Sequence, residues 1–329
     1  MFMNSSKMII FIFMMMSTIM MISNNSWIIS WMLMEINLFS FIPLMFNKNS
    51  WSSESMMKYF FIQTISSLLL FFFIMNLWKL IDFKLISLMN LCLMMKMGAS
   101  PFHLWYIQII ESMSWMNFFL ISSWQKIMPL IMLSYNFNLN LIIMMIYLNS
   151  LFSFMGGINQ TSMRKIMGYS SLNHISWMLS SIMMNFNMLL IYLFTYLIMM
   201  MNICMIIYMF NVNKLNQLFQ INNLKLNLLM FSLIFFSLSG LPPFIGFISK
   251  WMIVNFLIMN NFIFMNLFMI ISSLIVLFFY LNMMYYMILF NKYKMKWFLN
   301  FNNINLSNFM TINILIMFFF AVIMYTYMY

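Results

Sequence analysis

Residues 226–258 read LNLLMFSLIFFSLSGLPPFIGFISKWMIVNFLI, an apolar run that carries Lys250 and no acidic residue. As one straight α-helix it would extend about 50 Å, against a bilayer hydrocarbon core of about 30 Å. It is too long for one crossing and too short for two. Near its middle stands Gly240-Leu241-Pro242-Pro243-Phe244. A proline offers no N–H to the carbonyl four residues back, so Leu238 and Ser239 lose their helical partners. In lipid, freed carbonyls persist only where protein or water satisfies them. The run therefore reads as a broken helix facing an internal cavity.

A second run, 85–110, is also long and carries Gly98-Ala99-Ser100-Pro101-Phe102, which shares the pattern G-x-x-P-F. Here Pro101 frees the carbonyl of Met97. Working outward from these two breaks, about eleven segments are long and apolar enough to cross a membrane. They fall at 3–22, 27–46, 57–78, 85–110, 114–135, 138–156, 166–184, 187–210, 226–258, 262–287 and 308–328. Polar connections such as NKNSWSSES and GGINQTSMRK separate many of them.

Basic residues orient the chain. If each broken helix counts as one crossing, the N-terminal side holds Lys7, Lys48, Lys58, Arg164, Lys165, Lys214, Lys225, Lys292, Lys294 and Lys296. The other side holds Lys79 and Lys84. Positive charge collects on the side of synthesis, which places the N-terminus on that side of the membrane and the C-terminus on the opposite side. The breaks are then the fourth and ninth crossings, which run in opposite directions. Interrupted segments at matching places in inverted halves mark ion or substrate sites in transporters. The expectation is an all-α polytopic membrane protein, one domain over 1–329. Its inverted halves are roughly 1–137 and 138–290, followed by the C-terminal helix at 308–328.

Composition agrees with that solvent. The 329 residues are 65% hydrophobic and only 6% charged, whereas a soluble domain has about a quarter charged residues. A net charge of +11 does not indicate nucleic acid, because its basic residues are scattered between apolar runs. The two cysteines, Cys92 and Cys204, lie far apart with no CxxC or Cys/His cluster, which excludes a zinc or iron–sulfur site built from them. Two histidines are too few for a bis-haem bundle. Any electron chemistry belongs to partners. The first 22 residues show no small-residue cleavage site, and the single arginine, Arg164, argues against a transit peptide. Abundant Met (49) and Phe (40) fit A/T-rich codons and a code that reads ATA as methionine. Such a chain is expected to be made beside its own membrane.

Charges within the spans carry the chemistry. Lys96, Lys126 and Lys250 lie inside crossings, and Glu35 sits near the middle of the second. Each costs on the order of 2.5–3.5 kcal/mol to insert. One reading is a proton path, since amines and carboxylates exchange protons when burial and pairing bring their proton affinities together. The alternatives are static ion pairs between helices and snorkelling to a span end, the latter a fair competitor at Lys250. Glu54, Asp82 and Glu111 fall in or beside loops and read as solvated. Pro129 frees the carbonyl of Gln125, beside Lys126. His103 follows the first break, where it either relays protons or bonds a freed carbonyl. His174, beside Asn173, Ser170 and Ser171, either holds water in a channel or bonds helices together.

The segments WMLMEINLFSFIPL, KMGASPFHLWYIQIIESMSWMN, WQKIMPL, GGINQTSMRKIMGYSSLNHISWML and GLPPFIGFISKW, in this order, resemble the subunit 2 family of mitochondrial NADH dehydrogenase in its insect-type form. The resemblance runs from the first helix to about residue 290. It implies an antiporter-like fold with eleven helices, two of them broken, in the membrane arm of respiratory complex I. The family's membrane acid and lysines fall on Glu35, Lys96, Lys126 and Lys250. The implied mechanism has quinone reduction elsewhere alter the charges along the membrane. Opening or closing of a Glu35–Lys96 pair then changes the proton affinity of Lys126 and Lys250, in one polar row across the membrane centre. NADH, FMN, iron–sulfur clusters and ubiquinone are implied for other subunits, with none in this chain. The expected partners are the other membrane subunits of the complex and lipid. A stand-alone cation/proton antiporter and a purely structural subunit are the two alternatives.

Overall fold

Apolar runs of this length fold as helices because lipid offers the backbone N–H and C=O groups no other partner. The computed structural model describes residues 5–46, 50–77, 83–210, 212–220, 225–242 and 244–290. The expected helix over 308–328, together with Pro243, Lys48, Lys79, Asp82, Lys292, Lys294 and Lys296, lies outside the described residues. Among the described residues the chain is all-α, apart from an isolated β-bridge between Ser162 and Lys214.

The chain divides into two compact units, Met1–Asn149 and Ser150–Tyr329. The first contains α1 (Ser5–Ile22), α2 (Trp27–Met45), α3 (Ser50–Leu77), α4 (Phe83–Met97) and α5 (Leu104–Ser112). It continues with α6 (Trp115–Phe119), which passes through a π-helical turn at Leu120–Trp124 into α7 (Gln125–Tyr135). Helix α8 (Leu139–Gly157) carries the division. Helix α1 packs on α2, α2 on α3, α3 on α4 and α5, and α7 on both α1 and α4. The second unit holds α9 (Met163–Met184), α10 (Phe186–Phe210), α11 (Lys225–Ser239), α12 (Ile245–Met259) and α13 (Ile263–Phe290). Helix α9 contacts α10, α12 and α13, and α11 contacts α10, α12 and α13.

Helix α3 begins at Ser50, earlier than the span expected from 57. Its first turns carry Glu54 and Lys58, an ion pair four residues apart at 2.7 Å that favours the helix. Both side chains are exposed, in keeping with a solvated Glu54.

Six described helices, α1, α2, α3, α8, α10 and α13, are long and apolar enough to span a bilayer. Large apolar side chains point outward along them, such as Phe13 and Ile19 on α1, Leu68 and Phe72 on α3, and Phe264 and Ile271 on α13. In water such a surface would associate, whereas in lipid it is the solvated face. Helix α9 shows the converse. Its side chains are buried from Ile166 to Ile182, yet they include Ser170, Ser171, Asn173, His174, Ser176, Ser180 and Ser181. Each serine hydroxyl donates to the carbonyl three residues back, from 2.6 to 2.8 Å, so the serines are satisfied within the helix itself. Small self-satisfied residues let neighbouring helices approach closely.

Candidate functional site

Helix α4 stops at Met97 and the chain resumes as α5 at Leu104. Gly98 takes φ +68°, a left-handed conformation that other residues enter only with strain. A side chain there would also meet Tyr106, whose Cβ lies 2.7 Å from the position a Gly98 Cβ would occupy. Two backbone groups at this break have moved to side chains. Ser100 N–H, which a continued helix would direct to the Lys96 carbonyl, donates instead to Asn149 Oδ1 on α8 at 2.6 Å. The Lys96 carbonyl accepts from Gln63 Nε2 on α3 at 3.0 Å. His103 is buried at the start of α5, and its carbonyl accepts from Ile107 N at 3.2 Å.

Two buried lysines of the first unit, Lys96 and Lys126, lie near this break. Lys96, in the last turn of α4, is 7% exposed and its Nζ lies 4.0 Å from Glu35 Oε1 on α2. That distance is the outer limit of an ion pair, and a separation above about 3.5 Å leaves room for a bridging water. Lys96 Nζ also lies 3.9 Å from Met34 Sδ. Lys126, on α7, is 1% exposed, with its Nζ 5.0 Å from the centre of the Tyr106 ring. Such placement over an aromatic face favours a cation. Pro129 lies within α7, and the π-helical turn precedes Gln125, whose N–H reaches back to the Leu120 carbonyl. Irregular turns of this kind re-aim the residues that follow them.

Asn37 on α2 and Gln125 on α7 form a reciprocal amide pair. Asn37 Nδ2 donates to Gln125 Oε1 at 2.8 Å, and Gln125 Nε2 donates to Asn37 Oδ1 at 3.2 Å. A cavity of about 20 Å³ is lined by this pair together with Gln63, Lys96, Tyr106 and Lys126. It has room for about one water molecule among several polar partners.

In the second unit α11 stops at Ser239, Gly240 takes φ +79°, and α12 starts at Ile245. Pro242 removes the donor that Leu238 would have used. Lys250 replaces it, its Nζ donating to the Ser239 carbonyl at 2.8 Å and reaching the Leu238 carbonyl at 3.5 Å. The amine of this 8% exposed residue thus turns into the break instead of along α12 to a helix end. A cation at the C-terminal end of α11 also meets the negative end of the helix dipole. Lys250 Nζ lies 5.9 Å from the centre of the buried Trp177 ring. A cavity of about 260 Å³ adjoins it, lined by Trp177, Ser239, Gly240, Lys250, Trp251 and Ser273. His174 joins α9 to α10 through a 2.9 Å hydrogen bond between its Nδ1 and Tyr192 Oη. Asn173 joins α9 to α13 by accepting from Ser272 Oγ at 3.3 Å.

Glu35 and Lys96 therefore meet, and Lys96 and Lys126 share one cavity. Sequence reasoning misses the amide pair, Gln63, Asn149 and the two aromatic faces. All four amides lie within apolar runs, where a buried polar group needs a partner, and that is the signal that points to them. Among the described residues no group of His, Cys, Asp or Glu is placed to hold a metal, and both cysteines are buried thiols.

The family described as NADH:quinone oxidoreductase/Mrp antiporter, transmembrane, matches residues 23–276. NADH-ubiquinone oxidoreductase chain 2 of Anopheles gambiae is 39% identical over 312 residues, covering 91% of each chain. The same chain of Aedes aegypti is 37% identical over 320 residues, covering 94% of each. A chain of respiratory complex I from Thermus thermophilus shares the fold with a TM-score of 0.85 at 14% identity, over 97% of this chain and 78% of that one. A chain of the Mrp complex from Dietzia sp. does so with a TM-score of 0.78 at 14% identity, over 84% and 59%. The chain belongs to the chain 2 family of NADH-ubiquinone oxidoreductase, within the antiporter-like membrane proteins.

Proposed function

We propose that Glu35, Lys96, Lys126 and Lys250 form the proton-translocating groups of this chain. The chain is a membrane-arm subunit of complex I, a multi-pass protein of the mitochondrial membrane. Quinone is reduced elsewhere in the complex, and this subunit carries no redox step of its own. The observation that carries the reading is the shared cavity in the first unit. Lys96 stands within 4.0 Å of Glu35 and lines the same cavity as Lys126. When the Glu35–Lys96 pair tightens, its opposite charges stabilise each other. When it opens, the Lys96 proton is the one most readily passed to Lys126.

Eleven crossings with two inverted, broken-helix halves complete the proposal. The similar breaks support it, since each has a left-handed glycine and a lysine at the C-terminal end of the first half-helix. Half-helix ends of this kind host cations in transporters. The N-terminus then faces the matrix and the C-terminus the intermembrane space, as the basic loops favour.

The variant Glu35→Gln tests the pair. In the assembled complex it should keep the subunit in place and lower the protons moved per NADH oxidised, because the carboxamide no longer gains or loses charge. Unchanged proton yield in a fully assembled Glu35→Gln complex would contradict the role of the pair.

A further inference from the structure

We propose that the Asn37–Gln125 amide pair is the positioning element that holds a single water between Lys96 and Lys126. This inference rests on the proton path proposed above. A primary amide has one strong acceptor oxygen and two N–H donors. In each of these amides one N–H goes to the oxygen of the other, so the two side chains fix each other's orientation. The remaining polar contacts are of a different kind. Asn37 Nδ2 lies 3.3 Å from Met128 Sδ, and Gln125 Nε2 lies 3.6 Å from Met14 Sδ. A thioether sulfur is a weak acceptor, so these contacts exchange for water at little cost. The pair is thus rigid within itself and adaptable toward the cavity it lines.

Its placement gives it leverage on both charges. Asn37 lies on α2, the helix that carries Glu35, and Gln125 immediately precedes Lys126 at the end of the π-helical turn. Both amides line the cavity of about 20 Å³ that Lys96 and Lys126 also line. A water held there accepts a proton from the Lys96 ammonium while giving one of its own to the Lys126 amine. The water is regenerated, Lys96 becomes the neutral amine and Lys126 the ammonium, so atoms and charge balance. The second lone pair of an amide oxygen, the first being used within the pair, accepts from the water and supports the passing positive charge, and the amide itself exchanges no proton.

The test compares Gln125→Met, which keeps most of the volume and removes the amide, with Lys126→Met in the same assembled complex. Gln125→Met should lower proton-coupled turnover about tenfold, as the loss of one hydrogen bond to the transferring water implies, and change the pH profile of pumping. The double exchange Asn37→Gln with Gln125→Asn retains an amide on each helix and should restore most of the lost turnover, which a loss of packing alone does not explain. Wild-type turnover and pH profile in Gln125→Met, with the proton yield lowered in Lys126→Met, would overturn the role of the pair and leave the path standing. Normal pumping in Lys126→Met would instead overturn the path, and the pair's role with it. A map of the intact complex resolving a water within hydrogen-bond reach of an amide and a lysine amine supports the proposal. A side chain filling that position overturns it.

Discussion

Lysine is an unusual choice for the interior of a chain that has 15 basic and 4 acidic residues, and the structure shows what each buried amine meets. Lys96 faces a carboxylate, Lys126 the face of a tyrosine, and Lys250 the carbonyls of Leu238 and Ser239 at the end of α11, with a tryptophan nearby. Each of these partners stabilises the ammonium, and none does so through an ion pair closer than 4.0 Å. Gly240 is what admits Lys250 to its site. A Cβ on Gly240 would stand 3.0 Å from Lys250 Cδ and 3.1 Å from its Nζ, on a backbone already at φ +79°. Gly240→Ala should therefore destabilise the second unit by about 1–2 kcal/mol from backbone strain, and by more if Lys250 gives up its carbonyls. The check is the thermal denaturation of the assembled complex, in which the variant should melt lower. The three lysines and Glu35 are legible in the sequence, because a charge inside an apolar run is itself the anomaly. Their partners are not, since an aromatic face or a free carbonyl on another helix leaves no mark in the local sequence.

At the scale of the element, the breaks follow from backbone chemistry. Pro101 and Pro242 remove donors, and glycine supplies the left-handed turn beside each. Sequence shows where a helix must fail, but not which neighbour repairs it. The repairs differ: two amides from α3 and α8 at the first break, one amine from α12 at the second. Asn149→Leu leaves the buried Ser100 N–H without its acceptor and should cost about 1–3 kcal/mol. Hydrogen exchange across residues 98–103 should then speed up while the rest of α4 is little changed. Equal exchange in the variant and the parent would mean that the break is held by other contacts. The π-helical turn before Lys126 is not legible in the sequence. Pro129 signals a perturbed helix but falls after the turn, and no glycine or proline marks Leu120–Trp124 itself.

Across the whole molecule, hydropathy makes the helical membrane class legible, because a chain with 6% charge cannot cover itself in water. Helix α9 shows the limit of that measure. It is nearly all buried yet too polar to stand among the six plainly apolar helices, since its serines are satisfied within the helix itself. The distribution of polarity differs from that of a soluble protein, with large apolar side chains facing outward as well as inward and with amides, serines and three lysines buried among them. Such an interior gives protons a route only if its charges titrate during turnover. Lys126, 1% exposed and beside the cavity it shares with Lys96, is the group on which that claim depends most. The most direct measurement is the number of protons translocated per electron by complex I carrying Lys126→Met, in sealed vesicles with assembly verified. The proton path predicts a complex that still contains the subunit and moves fewer protons per electron, with slower NADH oxidation where the two are tightly coupled. A fully assembled Lys126→Met complex with the parent's proton-to-electron ratio would contradict it.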